Sequence, residues 1–247
     1  MISKAKIKYL NALHQKKHRH KEYLFIAEGP KIVAEVLQQQ KFQIKHLYAS
    51  KLWIDKNTSI YNKYYSLTTL IGANELKKIS SLKNPKEVLA VLEMPNKPQN
   101  LPEETDIALA LENIQDPGNM GTIIRIADWF GIKTIFCSEG CVDIYNSKVI
   151  QASMGSFLRV AVHHGQLVDF FDAQKTIPVY GAVLGGDNLF KSTLKTPAII
   201  LIGNEGKGLS EAMQERINHR ITIPKNGAAE SLNAAVATAI ICASFRQ

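Results

Sequence analysis

Residues 198–210 read Ala-Ile-Ile-Leu-Ile-Gly-Asn-Glu-Gly-Lys-Gly-Leu-Ser. Five apolar residues in a row end at a glycine, with no alternation to mark a wet face, so the run predicts a strand buried on both sides. The same rhythm recurs at Ile107–Leu111, Thr134–Cys137, Val179–Leu184 and Ile221–Ile223. Helical patterns lie between, at Gly121–Phe130 and Ser210–Asn218, and an Ala-, Val- and Ile-rich segment, Ser231–Phe245, closes the chain. Short buried strands alternating with helices predict an α/β domain with a doubly wound parallel sheet. Its ligand site should lie beyond the C-terminal ends of the strands, which is where the glycine-rich loop falls.

Upstream of Ile107 the character changes. A stretch with three prolines and no periodicity, Met94 to Asp106, marks a boundary, so we expect domains at 1–94 and 106–247 with a linker at 95–105. The front part alternates strands near Tyr23–Ala27, Ile44–Ala49 and Val88–Leu92 with helices at Pro30–Gln39 and Leu70–Ile79, a second, smaller α/β layer. Charge divides at the same place. Residues 1–100 hold 18 Lys and Arg against 7 Asp and Glu, whereas the remainder holds 12 against 15. A basic front module suggests a polyanion, and Lys16, Lys17, Arg19 and Lys21, interleaved with His14, His18 and His20, are its candidate RNA contacts. A solvated helix face would carry the same pattern.

Other classes are poorly supported. Three cysteines, Cys137, Cys141 and Cys242, build no disulfide framework, and no second Cys/His pair follows Cys137 and Cys141 to complete a zinc site, so no metal is expected. The start lacks a signal-peptide core and no run of about 18 apolar residues occurs, so a cytoplasmic protein without a membrane span is expected.

Three loops carry the chemistry. The first, Asn113-Ile-Gln-Asp-Pro-Gly-Asn119-Met-Gly-Thr-Ile-Ile-Arg125, reads as a turn with Asn119 capping the next helix. Arg125 either makes a structural salt bridge, to Asp128 or Glu112, or faces the crevice and grips a phosphate or oxyanion with both nitrogens. The second, Gly203-Asn-Glu205-Gly206-Lys-Gly208, fits neither the P-loop nor the dinucleotide spacing of glycines. The third runs from Ile223-Pro224 to Ser231-Leu232-Asn233, with Ser231 as the expected helix cap and Asn233 in the first turn.

In this order and spacing the loops resemble the SpoU (TrmH) family of RNA ribose 2′-O-methyltransferases, of the SPOUT superfamily. Asn119, Gly121 and Arg125 stand as its first motif, Gly203, Glu205, Gly206 and Gly208 as its second, Ile223, Pro224, Ser231, Leu232 and Asn233 as its third. Arg19, Phe25, Glu28 and Gly29 match the substrate-binding domain often fused to it, although Asn84-Pro-Lys-Glu87 replaces the Gln-Gly that many members carry before that domain's last strand.

The resemblance implies a SPOUT fold with a deep trefoil knot, a homodimer, and S-adenosylmethionine held in the knot. It places the cofactor against Leu184, Gly185, Gly203, Asn204, Gly206, Ile223, Ser231 and Leu232, and catalysis at Arg125, Asn119, Glu205, Ser231 and Asn233. The implied reaction is methylation of a ribose 2′-hydroxyl in structured RNA, 23S ribosomal RNA first and transfer RNA as the alternative. A non-catalytic RNA-binding or ribosome-assembly protein is the competing class, and the intact set Asn119, Arg125, Glu205 and Asn233 argues against it. A guanidinium has no acceptor lone pair, so Arg125 is expected to orient the neighbouring phosphate and stabilise the forming alkoxide rather than to take the proton itself.

Overall fold

The computed structural model describes residues 2–95 and 106–247; the expected linker lies, from residue 96 on, outside the described residues. In chain order the helices are α1 (Lys4–Ala12), α2 (Lys16–Glu22), α3 (Pro30–Gln39), α4 (Lys51–Lys56), α5 (Thr58–Lys63), α6 (Ala73–Ile79), α7 (Pro117–Trp129), α8 (Ser147–Ser153), α9 (Leu167–Ala173), α10 (Glu211–Gln214) and α11 (Ala234–Phe245). The strands are β1 (Leu24–Glu28), β2 (Ile44–Ala49), β3 (Thr68–Leu70), β4 (Val88–Glu93), β5 (Ile107–Leu111), β6 (Thr134–Ser138), β7 (Ala161–Gly165), β8 (Val179–Asn188), β9 (Ala198–Ile202) and β10 (His219–Thr222). Contacts divide them into two compact units, Met1–Pro98 with Tyr145–Leu158, and Gln99–Ile144 with Arg159–Gln247.

The first unit is a four-stranded sheet in the order β1-β4-β2-β3. β4 runs antiparallel to β1 and β2, and β2 pairs in parallel with the short edge strand β3. Helix α3 forms because Pro30 pre-sets the first turn and Ile32, Val33, Val36 and Leu37 recur on one face, all buried. One face of the sheet packs Ile26, Tyr48, Leu89 and Val91 against Leu10 and Leu13 and against Leu76 and Ile79 of α6. An aromatic cluster also holds this unit: Phe25 lies 5.1 Å from Phe42 and 4.7 Å from Tyr145, and Phe42 stacks on Phe157 at 5.9 Å. That cluster is why Tyr145–Leu158, which the sequence places inside the second domain, joins the first unit.

The second unit is a six-stranded sheet, order β10-β8-β9-β5-β6-β7, in which all the pairs are parallel. β5 and β9 are buried at every position, as their unbroken apolar runs require. Edge strand β7 has only partly buried or exposed residues, including His163 and His164, and no apolar run announces it. α7 begins earlier than its sequence suggests. Asp116, not Asn119, is the cap: its carboxylate accepts from the Asn119 N–H at 2.8 Å, and Pro117 takes the first helical position, where a missing N–H costs nothing. α11 likewise begins at Ala234 with Asn233 as its cap rather than Ser231, the Asn233 side-chain oxygen accepting from Ala235 N at 3.0 Å and Val236 N at 3.3 Å. β8 pairs with β10 at Tyr180 and Gly181 and again at Asp187 and Asn188, so the stretch between arches out of the ladder.

Candidate functional site

The crevice rule places the site beyond the ends of β5, β9 and β10, and three side chains from those loops meet there. Asn233 Nδ2 donates to Asn119 Oδ1 at 2.8 Å, and Asn119 Nδ2 donates to Glu205 Oε1 at 2.5 Å. Because the Asn233 oxygen already caps α11, its amide nitrogen is the group left to face Asn119, and each amide in the chain has one orientation. The three motifs, separated by 86 and 114 residues, become one hydrogen-bonded array ending on a carboxylate.

The glycine loop is a closed turn. Asn204 and Gly208 exchange backbone hydrogen bonds of 2.9 and 3.2 Å, while Asn204 Oδ1 accepts from Gly206 N at 3.0 Å and Lys207 N at 3.1 Å. Asn204 Nδ2 also donates to the carbonyl of Asn113 at 2.9 Å, tying the second loop to the first. At Gly203 a Cβ would stand 2.7 Å from the carbonyl carbon of Gly208, so only glycine fits. Asn204 and Gly206, expected to hold cofactor, thus have their side chain and amide engaged inside the loop and can offer it surface rather than free donors.

Below the array, buried Glu112 accepts from Ser210 N at 2.8 Å and Ser210 Oγ at 2.6 Å, fastening the end of β5 to the start of α10. Sequence reasoning considered Glu112 only as a partner for Arg125; its signal was a lone carboxylate directly after a fully buried strand. At the end of β5, Cys141 Sγ donates to the Leu111 carbonyl at 3.3 Å and accepts from Ile114 N at 3.3 Å, and hydrogen bonding with Cys137 brings its thiol down to about 7. All three cysteines are buried.

Arg125 is exposed on α7, and among the described residues it has no hydrogen-bond or ion-pair partner. Both salt-bridge alternatives fail: Asp128 pairs with Arg159 at 2.8 Å, and Glu112 holds Ser210.

Beside the array opens a cavity of about 660 Å³, within the usual range for small-molecule sites. Its wall includes Leu184, Gly203, Asn204, Glu205, Gly206, Ile223, Ser231 and Leu232, which brings together all the expected cofactor residues but one. Gly185 is the exception, absent from the wall although it sits in the arch of β8 beside Leu184. Asn119, Arg125 and Asn233 are not on the wall either. Sequence reasoning missed Leu189, Leu209 and Ile241, which supply apolar wall, and Thr222, which supplies a hydroxyl-bearing one.

On the first unit Lys16, Lys17 and Lys21 are exposed along α2. Arg19 is not an RNA contact. It is 2% exposed, and its guanidinium donates to the carbonyls of Leu13 at 3.1 Å and His14 at 2.8 Å, satisfying acceptors that the end of α1 leaves open.

Residues 106–243 match the SpoU rRNA Methylase family, and residues 4–90 match the MRM3-like substrate binding domain. The chain is 30% identical over 244 residues to the 23S rRNA (guanosine(2553)-2′-O)-methyltransferase RlmP of Bacillus subtilis, covering 98% of this chain and 96% of that one. It is 33% identical over 175 residues to the 23S rRNA (uridine(2479)-2′-O)-methyltransferase of Streptomyces viridochromogenes, covering 66% and 61%. Among solved structures, the AdoMet-bound rRNA methyltransferase of Sinorhizobium meliloti superposes with a TM-score of 0.89 at 29% identity, over 100% of this chain and 95% of that one.

Proposed function

The chain belongs to the SpoU rRNA methylase family, and from that premise we propose that it transfers a methyl group from S-adenosylmethionine to a ribose 2′-hydroxyl of 23S ribosomal RNA. The observation that carries the reading is the joining of Asn119, Glu205 and Asn233 into one array beside a cavity of cofactor size. The cavity fits the group. Gly203 lets main chain come to its edge, Ile223 and Leu232 give apolar wall for a ring, and Ser231, which has no partner among the described residues, offers a free hydroxyl. Bound there, S-adenosylmethionine supplies an electrophilic sulfonium methyl.

The remaining work belongs to the chain. A 2′-hydroxyl is a weak nucleophile until its proton leaves. Arg125, unpaired and exposed, is free to take an RNA phosphate in its planar fork and set the neighbouring ribose, with that phosphate receiving the proton and the guanidinium stabilising the alkoxide. The array fixes the Asn119 and Glu205 polar groups against the ribose without reorganisation.

Three further assignments belong to the proposal. Residues 1–94 grip RNA through Lys16, Lys17 and Lys21 and residues 106–247 perform the transfer, a division supported by the separate family matches. The chain works as a homodimer: α11 is apolar around its whole circumference, yet Val236 is 48% exposed, and on α7, which packs against it, Trp129 is 83% exposed. A helix apolar on all sides calls for cover on all sides, and a second copy supplies it. The trefoil threading expected from the resemblance is supported by β10 lying at the sheet edge while the following helix packs on α7, next to the central strands. Among the described residues no helix is long and apolar enough to cross a membrane, and an rRNA substrate supports action in the cytoplasm.

Mapping ribose methylation in ribosomal and transfer RNA from cells with and without the protein tests the substrate. Loss of one 23S methylation on deletion is expected; loss confined to transfer RNA would move the substrate, and no change in either would remove the reading. Titration calorimetry with S-adenosylmethionine tests the cofactor independently.

A further inference from the structure

The basic unit contains a second built cavity, of about 340 Å³, between α1 and the open end of its sheet. Lys6, Tyr9 and Leu10 form one wall; Leu24, Lys45, His46, Tyr48, Val91 and Glu93 of three adjacent strands form the other, with Glu22 at the rim. The hydrophobic core of this sheet face reaches the cavity, with Leu10, Tyr48 and Val91 belonging to both.

Its chemistry is specific. The Tyr48 side chain is 1% exposed and lines the cavity, yet its hydroxyl has no hydrogen-bond partner among the described residues. An orphaned buried hydroxyl costs about as much as a lost hydrogen bond, so its position needs a reason. Burial pushes its ionisation up to about 12, which keeps it a donor. His46 packs its ring 4.6 Å from that of Tyr48 and hydrogen-bonds Thr69 Oγ1 at 2.8 Å; burial, with Lys6 nearby, holds its pKa below the usual histidine value. Tyr9 adds a third ring, with the Lys6 ammonium 5.0 Å from its centroid.

Charges around the cavity balance. Lys45 is paired with Glu93 at 2.6 Å, and Lys6 and Glu22 offset each other at the entrance. A phosphate trap would carry a cationic excess; this cavity offers flat rings, one buried donor and carboxylate acceptors, which suits a neutral planar heterocycle bearing both donors and acceptors. The lysines that do carry excess charge, Lys4, Lys8, Lys16, Lys17 and Lys21, are exposed on α1 and α2 outside it.

We propose that this cavity receives a single unpaired nucleobase of the RNA, stacked against the partly exposed rings of Tyr9 and His46 with the buried Tyr48 hydroxyl as its hydrogen-bond donor, while the lysines outside follow the phosphate backbone. The inference rests on the reading of this unit as the RNA grip. It makes the unit a reader of single-stranded elements rather than a purely electrostatic clamp.

The test uses the full-length protein and fluorescein-labelled 12-nucleotide RNAs, single-stranded and as a self-complementary duplex, followed by anisotropy across a salt series. Tyr48→Phe is expected to weaken single-strand binding about fivefold. Duplex binding and the salt slope should be unchanged, and the melting temperature should rise, since the hydroxyl removed is buried without a partner among the described residues of the free protein. Tyr9→Ala is expected to weaken single-strand binding tenfold or more by removing a stacking ring. Single-strand affinity unchanged in both variants, or equal losses on single strand and duplex, would overturn the proposal. S-adenosylmethionine binding and methyl transfer by the parent protein report separately on the methyltransferase reading, so failure of the cavity and failure of the enzyme are distinguishable.

Discussion

Asn233 caps α11 with its side-chain oxygen and, with the nitrogen of the same amide, donates to Asn119 at 2.8 Å, so one residue both starts a helix and orients the polar array. The next link, Asn119 to Glu205, is a hydrogen bond to a carboxylate. Asn119→Asp replaces its donor by a second carboxylate and should lower single-turnover methylation by about 10–100-fold, the worth of a charge-assisted hydrogen bond. Adding Glu205→Gln should restore part of the loss, because a donor then faces the new carboxylate. Independent, multiplicative losses in the double variant would show that the two residues do not act as a unit.

Arg125 is exposed and has no partner among the described residues, so Arg125→Lys should shift stability by no more than about 0.5 kcal/mol. Turnover should nevertheless fall about 100-fold, because an ammonium cannot reproduce the planar fork. Melting curves together with rapid-quench methyl transfer check both halves; near-normal turnover contradicts a bidentate role.

Arg19 and its lysine neighbours should part company. Arg19→Ala leaves the Leu13 and His14 carbonyls without their charged donor and should cost about 2–3 kcal/mol in urea unfolding. The variant that remains folded should keep the parental salt dependence of RNA binding. Lys17→Ala should leave stability alone and reduce the slope of log K against log salt for single-stranded RNA by about 0.7 if it contacts one phosphate.

His163 stacks on Phe136 at 5.1 Å with its Nε2 buried and unpartnered among the described residues, and burial holds its pKa below 6.5. The unfolded chain therefore binds the proton more readily. Stability from the neutral ring is fully present above 6.5 and is lost as pH falls through the lower folded value; His46 acts in the same direction. His163→Phe should raise the urea midpoint, by the equivalent of about 1 kcal/mol at pH 8, and by more at pH 5.5. A gain that shrinks on acidification would reverse this assignment.

What could be read in advance followed from local causes. β9 was legible to the residue because its apolar run ends where Gly203 begins, β2 because its apolar residues, interrupted by Lys45 and His46, stop at Ser50, and α3 because Pro30 and a four-residue apolar face mark its course. The start of α7 was hidden by Asp-Pro-Gly-Asn, which spells a turn as readily as a capped first turn; only the bond from Asn119 N to Asp116 separates them. Arg19 misled because net charge reports sign without direction, and among five cationic or histidine neighbours the inward one carries no local mark. The site's residue types were legible as motifs. Their joining was not, since Asn119, Glu205 and Asn233 meet across 86 and 114 residues and spacing along a chain holds no distance through space.

Gly203, whose missing side chain brings the Gly208 main chain to the edge of the larger cavity, has a bearing on antagonism. A compound shaped to that turn would press on backbone, which no codon change can swap for another chemical group. The only direct escape there, adding a Cβ 2.7 Å from the Gly208 carbonyl carbon, would distort the same wall the natural ligand needs. Resistance to such a compound should therefore arise at Leu184, Thr222 or Leu232, where the wall is side chain, or through raised expression, and seldom at the turn itself.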